Sequence, residues 1–464
     1  MAGSRYTLMM DRASFVREFS EELSNGDGAL FVGAGISKPS SVPTWEDLIR
    51  PLASSRLGLI DLRDADLIQI AQYVVNASAG NRGPLIHHLR TQFSGPFSVN
   101  AYHRPIVQTQ VSTVWTTNYD VLLEQAFRQA SFSVDVKATD DAISRSVPNH
   151  EIEIIKMHGS IDQSPHEDLV ITGEDYEDFD THRPATAERL RSDLLTKSFL
   201  FLGYSYRDPN IHGIVAQARR LSNKATRQHF LVTTAEEPLE DDKPGDLDRR
   251  RLMAELWRNN LRRFGIETIL LSGYAELEAL LVEIAQKSRG ATVYVVGSHL
   301  DTGNRQAQEL GRSLAERDIV LVDGQSDGVS RQVITAFVEE GVKRKRDVYK
   351  HLKIFPNPYS VNPAFASDPN QIPILKSWRA PLLRSTQVFV CFDGGMGTEA
   401  ELELAIQSGC RIVPVPGRSD GMVTTSVLTQ SAILDRLPTK YAGKAKSGTI
   451  SAADIAECID DLTK

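Results

Sequence analysis

The chain has 464 residues, 41% hydrophobic and 24% charged, which is enough for two or three separately cored domains and argues against intrinsic disorder. A formal net charge of -8 excludes a protein that grips nucleic acid through a general basic surface, because phosphate binding needs clustered Lys and Arg. Three cysteines without a C-x-x-C pair support neither a disulfide framework nor a cysteine zinc site; with no signal-peptide core and no bilayer-length apolar run, a soluble cytoplasmic protein is expected, engaging neither membrane nor nucleic acid.

In chain order, the first strand is ALFVG at 29–33, and it runs directly into a glycine-bearing turn, Gly33-Ala34-Gly35-Ile36-Ser37. Such a turn lets a backbone approach a ligand and a following helix aim N–H groups at phosphate. The strand STVWTTN at 112–118 continues into TTNYD and delivers Asn118 and Asp120. EIEIIKMHG at 151–159 delivers His158, and SFLFLGYS at 198–205 delivers Gly203 and Ser205. HFLVTT at 229–234, a helix around 246–263 and the strand IETILL complete this half. Near-continuous apolar strands alternating with amphipathic helices predict an α/β fold with a parallel sheet buried on both faces. Ligands of such sheets bind at the carboxyl edge, where all four strand ends converge. Each residue alone has a plainer role, with His158 as a satisfied core histidine, Asn118 as a turn former and Asp120 as a helix cap. The ordered set GAGIS, TTNYD, MHGS and FLGYSYRDPN is not explained that way.

These motifs resemble the sirtuin superfamily, and VPTWEDLI at 42–49 is similar to its bacterial NAD-hydrolysing branch. The resemblance covers about residues 10 to 270 and implies a Rossmann-type sheet domain with NAD+ as substrate. Gly33, Ala34, Gly35 and Ile36, with Ser37, would line the phosphates and the nicotinamide side. Asn118 would hold the nicotinamide ribose and the attacking water, Asp120 would sit near the carboxamide, and His158 would be the base. Gly203 and Ser205 would face the adenosine half. The four-cysteine zinc module of the deacylases is absent, since no Cys precedes Cys391. Water rather than an acyl-lysine is therefore the expected acceptor. The nicotinamide leaving group is already cationic, so a near-neutral base is sufficient and no metal is required.

A helix from about 275 to 287 ends at SRGA, and the strand TVYVVGS begins at Thr292, placing domain boundaries at 1–287 and 290–464. The order then restarts with a strand, the turn GSHLDTGN, a helix, the strand DIVLVDG and the helix RQVITAFVEEGV. The basic run KRKRD at 343–347 reads as a solvated helix end. A proline-rich irregular stretch precedes CFDGGMGTEAELELA, a strand, a Gly-rich turn and an acidic helix that Thr398 is placed to cap. The motif is similar to the P-G-G-x-G-T-x-x-E signature of the SLOG superfamily, with Asp393 in place of the proline. That likeness implies a second Rossmann-like domain in which Gly297, Ser298, Gly395 and Gly397 contact a ribose or phosphate and Glu401 binds ribose hydroxyls. Of the nearby basic residues, Lys353 and Arg379 would complete the anion pocket.

A sirtuin-like domain followed by a SLOG domain resembles the effector family of Thoeris antiphage defence. The resemblance implies an NAD+ glycohydrolase activated by a cyclic ADP-ribose isomer, made by a TIR-domain partner, and a homo-oligomer such as a tetramer or filament. Three alternatives remain: a non-catalytic nucleotide sensor, a zinc-free deacylase, and a nucleotide hydrolase acting at the SLOG site.

Overall fold

The computed structural model describes residues 10–58, 66–165, 168–204, 227–238, 242–263, 265–361, 370–417 and 421–463. The chain divides into two compact units, Met1–Ile284 and Ala285–Lys464.

In the first unit the described strands are β1 (Gly28–Val32), β2 (Thr113–Thr116), β3 (Val134–Lys137), β4 (Ile152–Lys156), β5 (Ser198–Leu202), β6 (His229–Thr234) and β7 (Ile266–Leu271). They form one parallel sheet in the order β3-β4-β2-β1-β5-β6-β7. Strand β1 is buried throughout, and alternate residues feed different cores. Leu30 and Val32 pack with Phe15, Phe19 and Leu200, whereas Ala29 and Phe31 pack with Trp115, Phe199 and Phe201. This two-sided burial is why the strands read as continuous apolar runs rather than alternating ones. The chain leaves β1 toward β2 and returns to its other side at β5, so the strand order reverses at β1 and opens a crevice beyond its carboxyl end. A helical cluster built on Leu48, Ile49, Val74, Leu85 and Ile86 stands between β1 and β2 in the chain.

The second unit holds β8 (Thr292–Val296), β9 (Val320–Asp323), β10 (Leu352–Ile354), β11 (Val388–Phe392) and β12 (Arg411–Val415), parallel in the order β10-β9-β8-β11-β12. Here the order reverses beside β8, whose carboxyl end lies next to that of β11.

The α/β class and the parallel sheets agree with the sequence reading. Two edge strands, β3 and β10, escape it because a half-covered edge segment of three or four residues lacks a buried strand's apolar run. The KRKRD run does end a helix, Val329–Lys343, with Arg344 paired to Glu316 and Glu340. Thr398 does not cap its helix. Gly395 is the N-cap of Met396–Gln407, while the Thr398 hydroxyl donates to the Gly297 carbonyl at 3.2 Å. Among the described residues, no helix is long and apolar enough to cross a membrane.

Candidate functional site

The carboxyl end of β1 is locked to that of β5 through backbone alone. Gly33 N–H donates to the Leu202 carbonyl at 2.8 Å, and Gly35 N–H to the Gly203 carbonyl at 3.1 Å. A Cβ on Gly35 would stand 2.8 Å from the Gly203 oxygen, and one on Gly203 would stand 2.8 Å from the Gly33 oxygen. Gly203 also has φ +76°, a left-handed conformation that disfavours side chains. The glycines therefore serve a turn that meets another turn, not only an approach to ligand. Ala34 faces the crevice, whereas the Ile36 side chain belongs to the sheet core. Ser205 lies outside the described residues.

The turn after β2 is held from several sides. Thr116 Oγ1 donates to the Val32 carbonyl at 2.8 Å and accepts from Asn118 N–H at 3.0 Å. Asn118 Nδ2 donates to the Gly33 carbonyl at 3.3 Å and to Ser37 Oγ at 3.2 Å. With its amide nitrogen so occupied, Asn118 leaves Oδ1 buried and without a partner among the described residues. Asp120 Oδ1 accepts from Leu122 N–H at 3.0 Å, fixing the start of the helix Leu122–Gln129. His158 follows β4 and packs edge-on to Tyr176 at 5.2 Å, and its Nε2 is likewise buried and unpartnered among the described residues. Ala34, Asn118, Asp120 and His158 line one cavity of about 80 Å³, together with Trp45 and Phe93. Two buried, unmet polar atoms on residues lining one cavity suit hydroxyl or water partners, since an unmet buried polar group is costly.

Burial pushes the His158 imidazole down to about 3, with the Arg183 guanidinium lowering it further and Asp175 opposing. The ring is thus neutral at ordinary pH and a weaker base than the near-neutral one that the motif suggests. Burial also lowers His103 and His229 to about 4 each. All three titrate near 6.5 once unfolded, so between 6.5 and about 4 the unfolded chain binds more protons than the folded one. Their contribution to stability is fully present above about 6.5 and is lost as the pH falls toward the folded values. Urea denaturation of this unit is expected to show midpoints that decline between pH 6.5 and 4.5; a flat profile there would contradict neutral burial of these rings.

In the second unit, Arg379 is 1% exposed and forms an ion pair with Glu401, Nε to Oε1, at 2.5 Å. Its remaining nitrogens donate to the Gly324 carbonyl at 2.8 Å, the Tyr294 hydroxyl at 2.6 Å and Ser326 Oγ at 3.1 Å. Tyr294 in turn donates to the Glu401 carboxylate at 3.2 Å. Burial, with the Glu401 charge, raises the Tyr294 hydroxyl well above its ordinary value and keeps it a donor. Arg379 is therefore engaged with protein groups on every nitrogen. Gly297 packs against Phe392 and Val329, and Ser298 Oγ accepts from Leu300 N–H at 3.2 Å. A Cβ on Gly395 or Gly397 would meet nothing within 4 Å. Lys353 is exposed on β10. Asp393, standing where the SLOG signature has proline, accepts from Gly417 N–H at 2.7 Å and Val423 N–H at 2.9 Å.

Sequence reasoning misses Phe93, Tyr176, His103 and Tyr294, and reads Trp45 only within VPTWEDLI, without a site role. Phe93 and Tyr176 carry no motif, because packing alone recruits them. His103 has a faint signal in its spacing from Asn100, whose N–H donates to His103 Nδ1 at 3.3 Å and whose side chain holds the Ile36 carbonyl at 2.8 Å. Among the described residues, no cluster of His, Cys, Asp and Glu is placed to hold a metal ion.

A family model, the SIR2-like domain, matches residues 112–261. The chain is similar to the "NAD(+) hydrolase ThsA" of Bacillus cereus (strain MSX-D12), 30% identical over 70% of this chain and 69% of that protein. It is also similar to the proteins of that name from Enterococcus faecium, 30% identical over 75% and 76%, and Acinetobacter baumannii (strain 532279), 29% identical over 85% and 85%.

Proposed function

The chain belongs to the ThsA family of NAD(+) hydrolases, and from that premise we propose that its first unit cleaves NAD+ at the cavity of Asn118 and His158. The observation that carries this reading is the pair of buried, unpartnered polar atoms, Asn118 Oδ1 and His158 Nε2, on residues that line one cavity. In the reaction the C1′–N bond breaks and its electron pair leaves with nicotinamide, which becomes neutral without protonation. Water oxygen bonds to C1′, and its proton passes through His158 to solvent, giving ADP-ribose. Asn118 orients the water or ribose hydroxyl without adding charge. Burial makes His158 a weak base, which suffices where the cationic leaving group creates an oxocarbenium-like acceptor.

The second unit is a SLOG sensor for a cyclic ADP-ribose isomer, supplied by a TIR-domain partner, and its ligand contacts include Gly297, Ser298, Lys353, Arg379, Gly395, Gly397 and Glu401. The open surface at Gly395 and Gly397 supports this, as does the pairing of a diol-binding carboxylate with a guanidinium. A hydrolase of a central cofactor needs an off state, and a ligand shifts that equilibrium only through unequal affinity for the two states. The biological role is antiphage defence by NAD+ depletion, carried out in the cytoplasm by a homo-oligomer. The deciding measurement is nicotinamide release from NAD+ by purified full-length protein, with and without cyclic ADP-ribose isomers. Release stimulated by one isomer is expected; no release under any condition overturns the hydrolase reading, and equal release throughout overturns the sensor.

A further inference from the structure

Lys156 is the last residue of β4 and its side chain is fully buried. Its ammonium donates to Glu124 Oε1 at 2.8 Å, to the Asp120 carbonyl, and at 3.5 Å to the Tyr119 carbonyl. An ammonium has three protons, and these three acceptors account for all of them. Glu124, also fully buried, stands on the helix that follows the Asn118 turn, and its second oxygen has no partner among the described residues.

This arrangement is unusual for a sheet interior, where an apolar pair of similar volume is often at least as stable as a buried ion pair. Its position explains it better than stability does. Lys156 ends β4 two residues before His158 and clamps the two carbonyls that directly follow Asn118. The Asn118 side of the turn is tied to β1 through Gly33 and Ser37; toward β4 the backbone bonds Met157 N–H to the Thr116 carbonyl, 2.9 Å, and Ile161 N–H to the Tyr119 carbonyl, 3.1 Å, flank the turn, and Lys156 adds a side-chain clamp on the carbonyls of Tyr119 and Asp120. Glu124 cancels the ammonium charge next to a site where positive charge develops on the sugar.

We infer that Lys156, neutralised by Glu124, is a positioning residue for the reaction, setting the separation of Asn118 from His158 through the Tyr119 and Asp120 carbonyls. The inference rests on the NAD+ hydrolase reading. Small displacements of reacting groups cost rate far more than they cost binding, because most contacts to a dinucleotide lie elsewhere. The test compares full-length wild type, Lys156→Met/Glu124→Met and Lys156→Arg for nicotinamide release from NAD+ in the presence of cyclic ADP-ribose isomers, with thermal melting of each. The double variant removes both charges together, so it is expected to melt cooperatively near the parent while kcat falls on the order of 10- to 100-fold at nearly constant KM. Retention of parental kcat by a folded double variant overturns the inference and leaves the hydrolase reading intact. Silence of the wild type overturns both. Should the double variant fail to fold, Lys156→Arg decides: its planar fork keeps the charge but cannot reproduce three bonds to one point, so about a tenfold loss of kcat is expected. Full activity in that variant overturns the inference.

Discussion

Alanine at His158 is expected to lower nicotinamide release from NAD+ by about 10²- to 10⁴-fold, the range contributed by a positioned proton acceptor. The ring already borders a cavity and contacts Tyr176 only edge-on, so its loss should leave the melting temperature close to that of the parent. Alanine at Asn118 is expected to act as strongly on rate. It also frees Ser37 Oγ and the Gly33 carbonyl, so some stability is lost with it. Groups that act as a unit are not additive, and the double alanine variant should be no slower than the slower single one. Initial rates of nicotinamide formation, with melting curves as the folding control, decide the matter. A folded His158→Ala protein that keeps more than roughly a tenth of the parental rate would remove this residue from the chemistry.

The second large effect is expected at Arg379. Methionine there strands the Glu401 carboxylate, which is 9% exposed as a residue, beside a neutral tyrosine. Breaking a buried pair on one side typically costs about 3–5 kcal/mol. The second unit of Arg379→Met should unfold at clearly lower urea concentration than in the parent. Joint replacement, Arg379→Met/Glu401→Met, should recover most of that stability. Neither variant should be stimulated by a cyclic ADP-ribose isomer, and both should keep whatever unstimulated nicotinamide release the parent shows. Stimulation surviving in the double variant would separate this ion pair from ligand recognition. An unchanged urea profile for Arg379→Met would contradict the burial that surrounds it.

The sheet was readable because strands buried on both faces must be largely apolar, as GALFV, TVWT, IEIIK and SFLFL are. GAGIS, TTNYD and MHGS were readable as one site because parallel strands all deliver their following residues to the same edge. What lay beyond sequence was anything decided by a long-range partner. Lys156 reads as a strand's polar end, yet its ammonium is spent on the turn between β2 and the next helix. Arg379 reads as a free cation waiting for an anion, yet four protein groups already occupy it. The His158 imidazole reads as poised near neutrality, yet burial, which no motif encodes, holds it at about 3. Thr398 had the right type and spacing for a cap, and lost that role to Gly395 because the Gly297 carbonyl was within its reach.

The interlock of Gly33, Gly35 and Gly203 also constrains how the gene can vary. Glycine and alanine codons differ by a single base, so these changes arise often, yet a methyl at any one position collides with a main chain or ring that no rotamer change at another can withdraw. The three sites, 170 residues apart at their extremes, are therefore inherited as one character. Drift at the mouth of the cavity is left to Ala34 and to the aromatic wall, where substrate preference can diverge while the hinge of the sheet stays fixed.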